Sequence, residues 1–286
     1  MTHVAFLGTG LLGSALVEAA AKRGDRIKVW NRTADKAKAL ESFGVTVAGS
    51  PADAVRDAER VHLVLKDDPV VEEVIAALRP GLGAATVIVD HSTTQPVATA
   101  ARARRLNAEG VRYLHCPVFI GPAAARAGQG SILAAGPRAL FDQVEPALAR
   151  MAAKTQYVGE RPDLAAIYKL CGNAYIIGIN ALVADVFAIA AGADVDPAET
   201  LPILELFNPG AVITGRARSM LVRDYSPSFE LVMARKDVKL MLETAGQLAL
   251  ASLPGIAGRM DALIAEGHGA EDVAVMGRDA MTAARR

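Results

Sequence analysis

Cysteine is nearly absent: the 286-residue chain has two, Cys116 and Cys171, and no Cys-x-x-Cys pair. That excludes a disulfide-stapled secreted scaffold and leaves two reduced, mostly buried thiols of a cytoplasmic protein as the expectation. Net charge is absent too, with Lys plus Arg and Asp plus Glu at 31 each. No electrostatic excess is available to draw a nucleic acid or an anionic membrane. Histidine is sparse, at five scattered positions without ligand spacing, so no metal is expected. No basic, apolar leader precedes Val4, and no secretory signal is expected. Long apolar runs are few. The strongest, from Ala174 to Ala191, is interrupted by Asn180 and Asp185. A charge inside a bilayer is costly, so the run reads as a buried helix of a soluble protein.

What is present is apolar residue in quantity, and a change of pattern along the chain. Hydrophobic residues make up 52% of the sequence, enough for one large core or two modest ones. Short β-rich runs at 4–7, 26–30, 61–65, 86–89 and 111–114 alternate with helical stretches. Ser50-Pro51 and Asp68-Pro69 each set a capping side chain before a proline, a helix start. Such alternation implies βαβ units and a largely parallel sheet. From Leu164 to Ala193 the chain can form one helix of about 30 residues, roughly 45 Å long, which suits a spine joining two domains. Beyond it, 197–206, 231–250 and 254–266 are helical in pattern, without strand signals.

Gly8-Thr9-Gly10-Leu11-Leu12-Gly13 fits G-x-G-x-x-G, directly after a strand and opening a helix over Leu11–Ala21. In that context the first glycine permits the tight turn and the second lets backbone approach a pyrophosphate. The third lets helix and strand pack, with the helix N-terminus facing the phosphates. The expected architecture is α/β: an N-terminal Rossmann-type doubly wound sheet (1–161), then an all-α domain (162–286) joined by the long helix. The second strand ends Asn31-Arg32-Thr33. An NAD site usually places a carboxylate there for the ribose hydroxyls. Neutral Asn31 with Arg32 suits a 2′-phosphate instead, which a guanidinium engages with paired charge-assisted bonds. NADPH/NADP+ is the expected cofactor.

Four further segments complete a pattern: Asp90-His91-Ser92-Thr93, Cys116-Pro117-Val118, Lys169-Leu170-Cys171-Gly172-Asn173 and Lys236-Asp237-Val238-Lys239-Leu240. Together with the glycine turn they resemble the β-hydroxyacid dehydrogenase family, relatives of 3-hydroxyisobutyrate dehydrogenase and of short-chain semialdehyde reductases. The resemblance covers essentially the whole chain, and 267–273 is similar to the family's C-terminal Gly/Asp turn. It implies a catalytic Lys169 with Asn173 one helical turn on. It also implies Ser92 and Thr93 against substrate and nicotinamide ribose, Leu65 and Lys66 along the ribose, and Lys236 closing the site from the second domain. An ammonium at a carbonyl oxygen can stabilise developing charge and deliver a proton, which agrees with that role. Read from residues alone, Ser92-Thr93 would cap the next helix, Lys169 would snorkel and Lys236-Asp237 would be a solvated pair. The resemblance further implies a homodimer and a small carbonyl or hydroxy-acid substrate.

One segment departs from the family. Where Pro-Val-Ser-Gly-Gly is usual, this chain has Pro117-Val118-Phe119-Ile120-Gly121, followed by a loop over 123–130. Phe119 lacks the hydroxyl that would hold a carboxylate, so a less polar or differently anchored substrate is expected, with Phe119, Ile120 and Gly121 lining it. The glycine-rich lead into the lysine is replaced by Arg161-Pro162-Asp163, with Asp163 expected to cap. Two rival readings remain open. Imine reductases are similar in fold and in the Trp-Asn-Arg-Thr turn, but usually carry Asp or Tyr where Lys169 stands. A non-catalytic NADPH-binding module would not need the lysine.

Overall fold

In a computed structural model, residues 3–206 and 209–283 are described. The chain divides into two compact units, Met1–Asn173 and Ala174–Arg286. The first is a sheet of nine strands: β1 (His3–Leu7), β2 (Ile27–Trp30), β3 (Thr46–Val47), β4 (Ala58–Leu63), β5 (Val87–Asp90), β6 (Arg112–His115), β7 (Val118–Phe119), β8 (Ser131–Ala135) and β9 (Lys154–Gly159). Their order is β3-β2-β1-β4-β5-β6-β8-β7, with β9 added beside β8. The run from β3 to β6 is parallel throughout, and the chain reverses from β1 to β4 across the middle of the sheet. That switch point is where doubly wound sheets bind ligands, beyond the carboxyl ends of the strands. Buried apolar side chains cover both faces: Phe6, Val29 and Val89 on one, Leu7, Leu63 and Ile88 on the other.

Some elements differ from the expectation. The strand read at 61–65 begins three residues earlier, at Ala58, and ends at Leu63. β7, β8 and β9 were not legible as strands. β8 reads Ser-Ile-Leu-Ala-Ala, buried on both faces and poor in β-branched residues, so it lacks the period-2 signal. The stretch taken as a loop contains a short helix, Pro122–Arg126. The Ser50 cap forms, accepting Asp53 N–H at 3.1 Å. The next helix is capped by Asp67, not Asp68: Asp67 accepts Val70 N–H at 3.2 Å, while Asp68 lies inside the helix and takes Gln95 N–H and Arg102. Ser92 and Thr93 do not cap the following helix, which starts at Pro96 behind Gln95.

The helix Leu164–Gly192 contributes Leu164–Asn173 to the first unit and the remainder to the second. Asp163 stands at its start, its carbonyl accepting Ile167 N–H at 2.9 Å, but its carboxylate turns to Arg161 at 2.7 Å instead of capping. The expectation of a buried helix is not met within one chain. Only 11% of its most apolar window is covered, and Tyr175, Ile176 and Ile177 are exposed.

The second unit is helical: Leu201–Leu206, Pro209–Val222, Leu231–Ala245, Leu253–Ala265 and Arg278–Ala283, with 3₁₀ turns at Pro197–Thr200 and Val273–Gly277. The helix Pro209–Val222 escaped notice because Gly210 and Gly215 dilute its propensity. The helix expected to reach Leu250 stops at Ala245, where Gly246 takes φ +62°.

Two carboxylates organise this unit. Asp185, the charge that interrupts the apolar helix, accepts the N–H groups of Ala251, Ser252 and Leu253 and the Ser252 hydroxyl. It therefore closes the exposed amide end of the helix Leu253–Ala265. Asp272 does the same for the turn ahead of Val273–Gly277. It takes N–H groups from Ser228, Phe229 and Ala274, the Ser228 hydroxyl and an ion pair from Arg216. Burial alone would raise both acids. The hydrogen bonds outweigh it, holding Asp185 below its ordinary range and Asp272 down to about 2.

A depressed folded-state pKa contributes stability that is present above the unfolded value and lost as pH falls through the folded one. Unfolding followed by circular dichroism should therefore show the second unit weakening from about pH 4 towards pH 2. Asp185→Ala should cost about 2–4 kcal/mol at neutral pH, since it strands three backbone donors. A variant within about 0.5 kcal/mol of wild type would show that water satisfies those amides.

Candidate active site

The glycine turn lies at the switch point. Gly8 has φ +101°, and a Cβ there would meet the Val64 carbonyl oxygen at 2.2 Å. A Cβ at Gly13 would meet the Gly8 oxygen at 2.1 Å. The protein's own packing thus requires both. Gly10 differs: a Cβ there would meet nothing within 4 Å. Its missing side chain serves no internal contact and leaves the amino end of the helix Leu11–Lys22 open to a phosphate. That cradle fits a dinucleotide, with Leu11 and Leu12 supplying open backbone amides, while the Thr9 N–H is taken by Asn31.

A cleft of about 220 Å³ continues from the turn, lined by Gly10, Asn31, Arg32, Thr33, Leu65 and Lys66 among others. Asn31 is committed to the protein: its oxygen accepts Thr9 N–H at 3.0 Å, and its amide donates to the Thr33 carbonyl at 2.9 Å. It ties the end of β2 to the glycine turn. Arg32 is exposed and, among the described residues, has no ion-pair or hydrogen-bond partner. Lys66 is exposed beside Asp67 at 3.5 Å.

Ser92 is buried. Its Oγ accepts Leu65 N–H at 3.0 Å, and its own N–H donates to Asp90 at 2.9 Å. Asp90 also takes the Tyr113 hydroxyl at 2.7 Å, and buried Arg102 stands 3.7 Å away. Ser92 therefore locks the β4 and β5 ends together, with only its hydroxyl proton left to give. Thr93 beside it is exposed.

Lys169 Nζ donates to Asn173 Oδ1 at 2.8 Å and lies 4.2 Å from the centre of the Phe119 ring. The same ring fills the space over Gly172, where a Cβ would meet Phe119 Cζ at 2.3 Å. Lysine, amide, glycine and aromatic ring thus form one packed unit. Among the described residues no carboxylate pairs with Lys169. Burial lowers its pKa from the ordinary 10.5, while the ring face favours the charged form.

Strand alternation separates the two residues that replace the family's Ser-Gly. Phe119 faces Lys169, while Ile120 is half-buried and packs in part against the main core. Gly121 is exposed and starts the short helix, its carbonyl accepting Ala125 N–H. Arg126 is spent on Glu18 at 2.7 and 3.1 Å. Lys236, in the second unit, pairs with Asp237 at 2.9 Å. Cys171 is exposed where a buried thiol was expected, and Cys116 is buried.

Sequence reading missed a chain of buried imidazoles. Arg60 Nε donates to His62 Nε2 at 3.1 Å, His62 Nδ1 meets His91 Nε2 at 2.8 Å, and His91 Nδ1 meets the Cys116 carbonyl at 2.7 Å. With Arg60 the donor, both rings are neutral and each passes one N–H onward. Burial lowers both pKa values, which agrees. The chain ends three residues before Phe119. Its signal was a histidine within the apolar half of β4 and another directly after the apolar β5. Among the described residues no group of three or more His, Cys, Asp and Glu is placed to hold a metal.

A parallel sheet with a glycine cradle at its switch point defines an NAD(P)-binding oxidoreductase. Residues 3–159 match the NAD binding domain of 6-phosphogluconate dehydrogenase, and the chain belongs to the β-hydroxyacid dehydrogenase family. It is 28% identical over 264 residues to 3-sulfolactaldehyde reductase of Escherichia coli (strain K12), covering 91% of this chain and 88% of that one. It is 28% identical over 262 residues to 2-hydroxy-3-oxopropionate reductase of the same organism, covering 88% and 87%. Among solved structures, Streptomyces aurantiacus imine reductase superposes with a TM-score of 0.88 at 25% identity, covering 98% of this chain and 99% of that one.

Proposed function

We propose that this enzyme uses NADPH to reduce the carbonyl of a small aldehyde or ketone, with Lys169 as proton donor. The observation that carries the reading is an ammonium without a counter-ion. Among the described residues Lys169 is held by Asn173 and an aromatic face only, so its charge is free to meet oxygen. The bound cofactor would supply the hydride. Lys169 would stabilise the negative charge growing on oxygen and deliver the proton. Asn173 would hold the ammonium in place, and Ser92 would keep the strand ends fixed around it. The open amides of Leu11 and Leu12 behind Gly10 would carry the pyrophosphate, with Gly8 and Gly13 shaping the turn, Thr9 tied into it by Asn31, and Leu65, Lys66 and Thr93 along the ribose.

Arg32, exposed at the cleft and unpaired among the described residues, is proposed to read the 2′-phosphate. Arg32→Ala should weaken NADPH by about 1.5–3 kcal/mol in a fluorescence titration and leave NADH nearly unchanged. Equal losses would mean that Arg32 supports the turn instead.

The two bacterial relatives are named for short aldehydes that carry an anionic group. In this chain the position of the family's hydroxyl is the Phe119 ring. Burying a carboxylate against it without donors carries a desolvation cost, whereas an apolar substituent gains about 25 cal/mol per Å² buried. We therefore infer a preference for uncharged or aromatic carbonyls. The same apolar wall and the likeness to an imine reductase favour cyclic imines as the second reading. Lys169 counts against it, because an ammonium repels an iminium. A panel of semialdehyde acids, neutral aldehydes and cyclic imines, followed by NADPH absorbance, separates these. Phe119→Ser should raise the ratio of kcat/KM for acidic over neutral substrates by about tenfold or more, the worth of one charge-assisted bond. Ile120 is best left intact, since it packs partly against the core. A wild type that already favours the acids strongly would overturn this account of the loop.

The exposed apolar face at Tyr175, Ile176 and Ile177 is proposed to lie against a second copy of the chain in a cytoplasmic homodimer, with no membrane or nucleic-acid partner. Light scattering reads the state directly, and a monomer would contradict it.

A further inference from the structure

At the amino ends of the central strands β4 and β5, the opposite strand ends from the nucleotide cleft, lies a second cavity of about 270 Å³. Arg60, Arg150, Gln143 and the Glu59 carboxylate give it polar lining, Gln143 also accepting from Arg112, and Val87 and Val144 add apolar lining. Arg23 stands behind. It approaches Asp25 at 3.7 Å, and Arg150 reaches the same carboxylate at 3.2 Å. Arg60 pairs with Glu59 at 2.6 Å. Three guanidinium groups thus converge on two carboxylates, which leaves one positive charge in excess in a half-buried place.

The arginines are incompletely satisfied. Arg23 Nε is buried and has no hydrogen-bond partner. Arg60 spends Nε on His62 and one terminal nitrogen on Glu59, which leaves the other for a ligand. Burial, with the nearby charges of Arg150 and Arg60, depresses the pKa of Arg23 against the pull of Asp25. Like charges held together raise the energy of the site unless an anion joins them, most at Arg60 and Arg23, which are largely shielded from water, and less at the half-exposed Arg150. Planar guanidinium forks match the oxygens of phosphate and carboxylate, and do so with direction.

We propose that this cavity binds a small oxyanion, a phosphate or carboxylate group on a short carbon skeleton, through Arg60 and Arg150. The charged wall would take the anionic group and the Val87–Val144 wall the carbon chain. The site is separate from the one that binds the cofactor's phosphates, and it does not rest on the identity of the substrate. Arg60 is also the first donor of the imidazole chain that ends at the Cys116 carbonyl, so the ligand would touch a group connected to the Phe119 segment.

The test is calorimetric titration of the enzyme saturated with NADP+, so that the cofactor's own phosphate contacts are already occupied. Inorganic phosphate, pyrophosphate and succinate are added separately at constant ionic strength, with chloride as the reference. At least one should bind saturably with a Kd near or below about 1 mM. The arm that binds tells phosphate from carboxylate chemistry. Arg150→Ala should raise that Kd about tenfold or more. Gln143→Glu, which places a negative charge on the cavity wall, should do the same without removing an arginine. Binding indistinguishable from chloride, or binding that both variants leave unchanged, would overturn the proposal.

Discussion

The site depends on one packing contact, the Phe119 ring laid between the Lys169 ammonium and the bare backbone of Gly172. A lysine in an apolar helix turn would ordinarily stretch towards water. Here the ring provides a surface that the ammonium can face, and Asn173 fixes its direction. Among the described residues no carboxylate neutralises it, so the positive charge remains to act on whatever binds beside it. Gly172 is required because any side chain there would displace the ring. The wall that holds the lysine proposed as proton donor is also the wall proposed to meet the substrate, and on that reading protonation and specificity are linked through Phe119.

Behind this contact stand two buried polar systems that fix backbone. Asp90 collects Ser92 N–H and the Tyr113 hydroxyl, and Ser92 returns a hydrogen bond to Leu65. The His62–His91 pair holds the Cys116 carbonyl. Both join the carboxyl ends of strands that the hydrophobic effect alone would leave free to slide. Buried polar groups with satisfied partners restrict a site to one geometry.

Much of this was legible in the sequence because its physics is local. The glycine turn is encoded by residues a few positions apart, and Gly8 and Gly13 are forced by contacts within one strand–turn–helix. Lys169 and Asn173 share a face by helical period alone. Long-range partners were not legible. That Asn31 holds the glycine turn, that Arg126 is consumed by Glu18, and that Ile120 packs partly against the core all depend on the tertiary fold. Asp185 shows the limit most clearly. In the sequence it is a charge spoiling an apolar helix, and only the fold reveals the amides it closes, more than sixty residues on. β8 was hidden for a different reason, since a strand buried on both faces carries no alternation.

The central claim is that Lys169, charged and tuned by Phe119, is the proton donor. The most direct measurement is the pH dependence of the single-turnover reduction rate in wild type, Phe119→Leu and Lys169→Ala. Wild type should lose rate as pH rises, with a midpoint below the ordinary lysine value of 10.5. Phe119→Leu keeps the apolar bulk but removes the ring face that favours the ammonium, so its midpoint should fall further. Lys169→Ala should lose about 10²–10⁴-fold in rate and show no such limb. A Lys169→Ala enzyme that keeps both the wild-type rate and the wild-type pH profile would contradict the account.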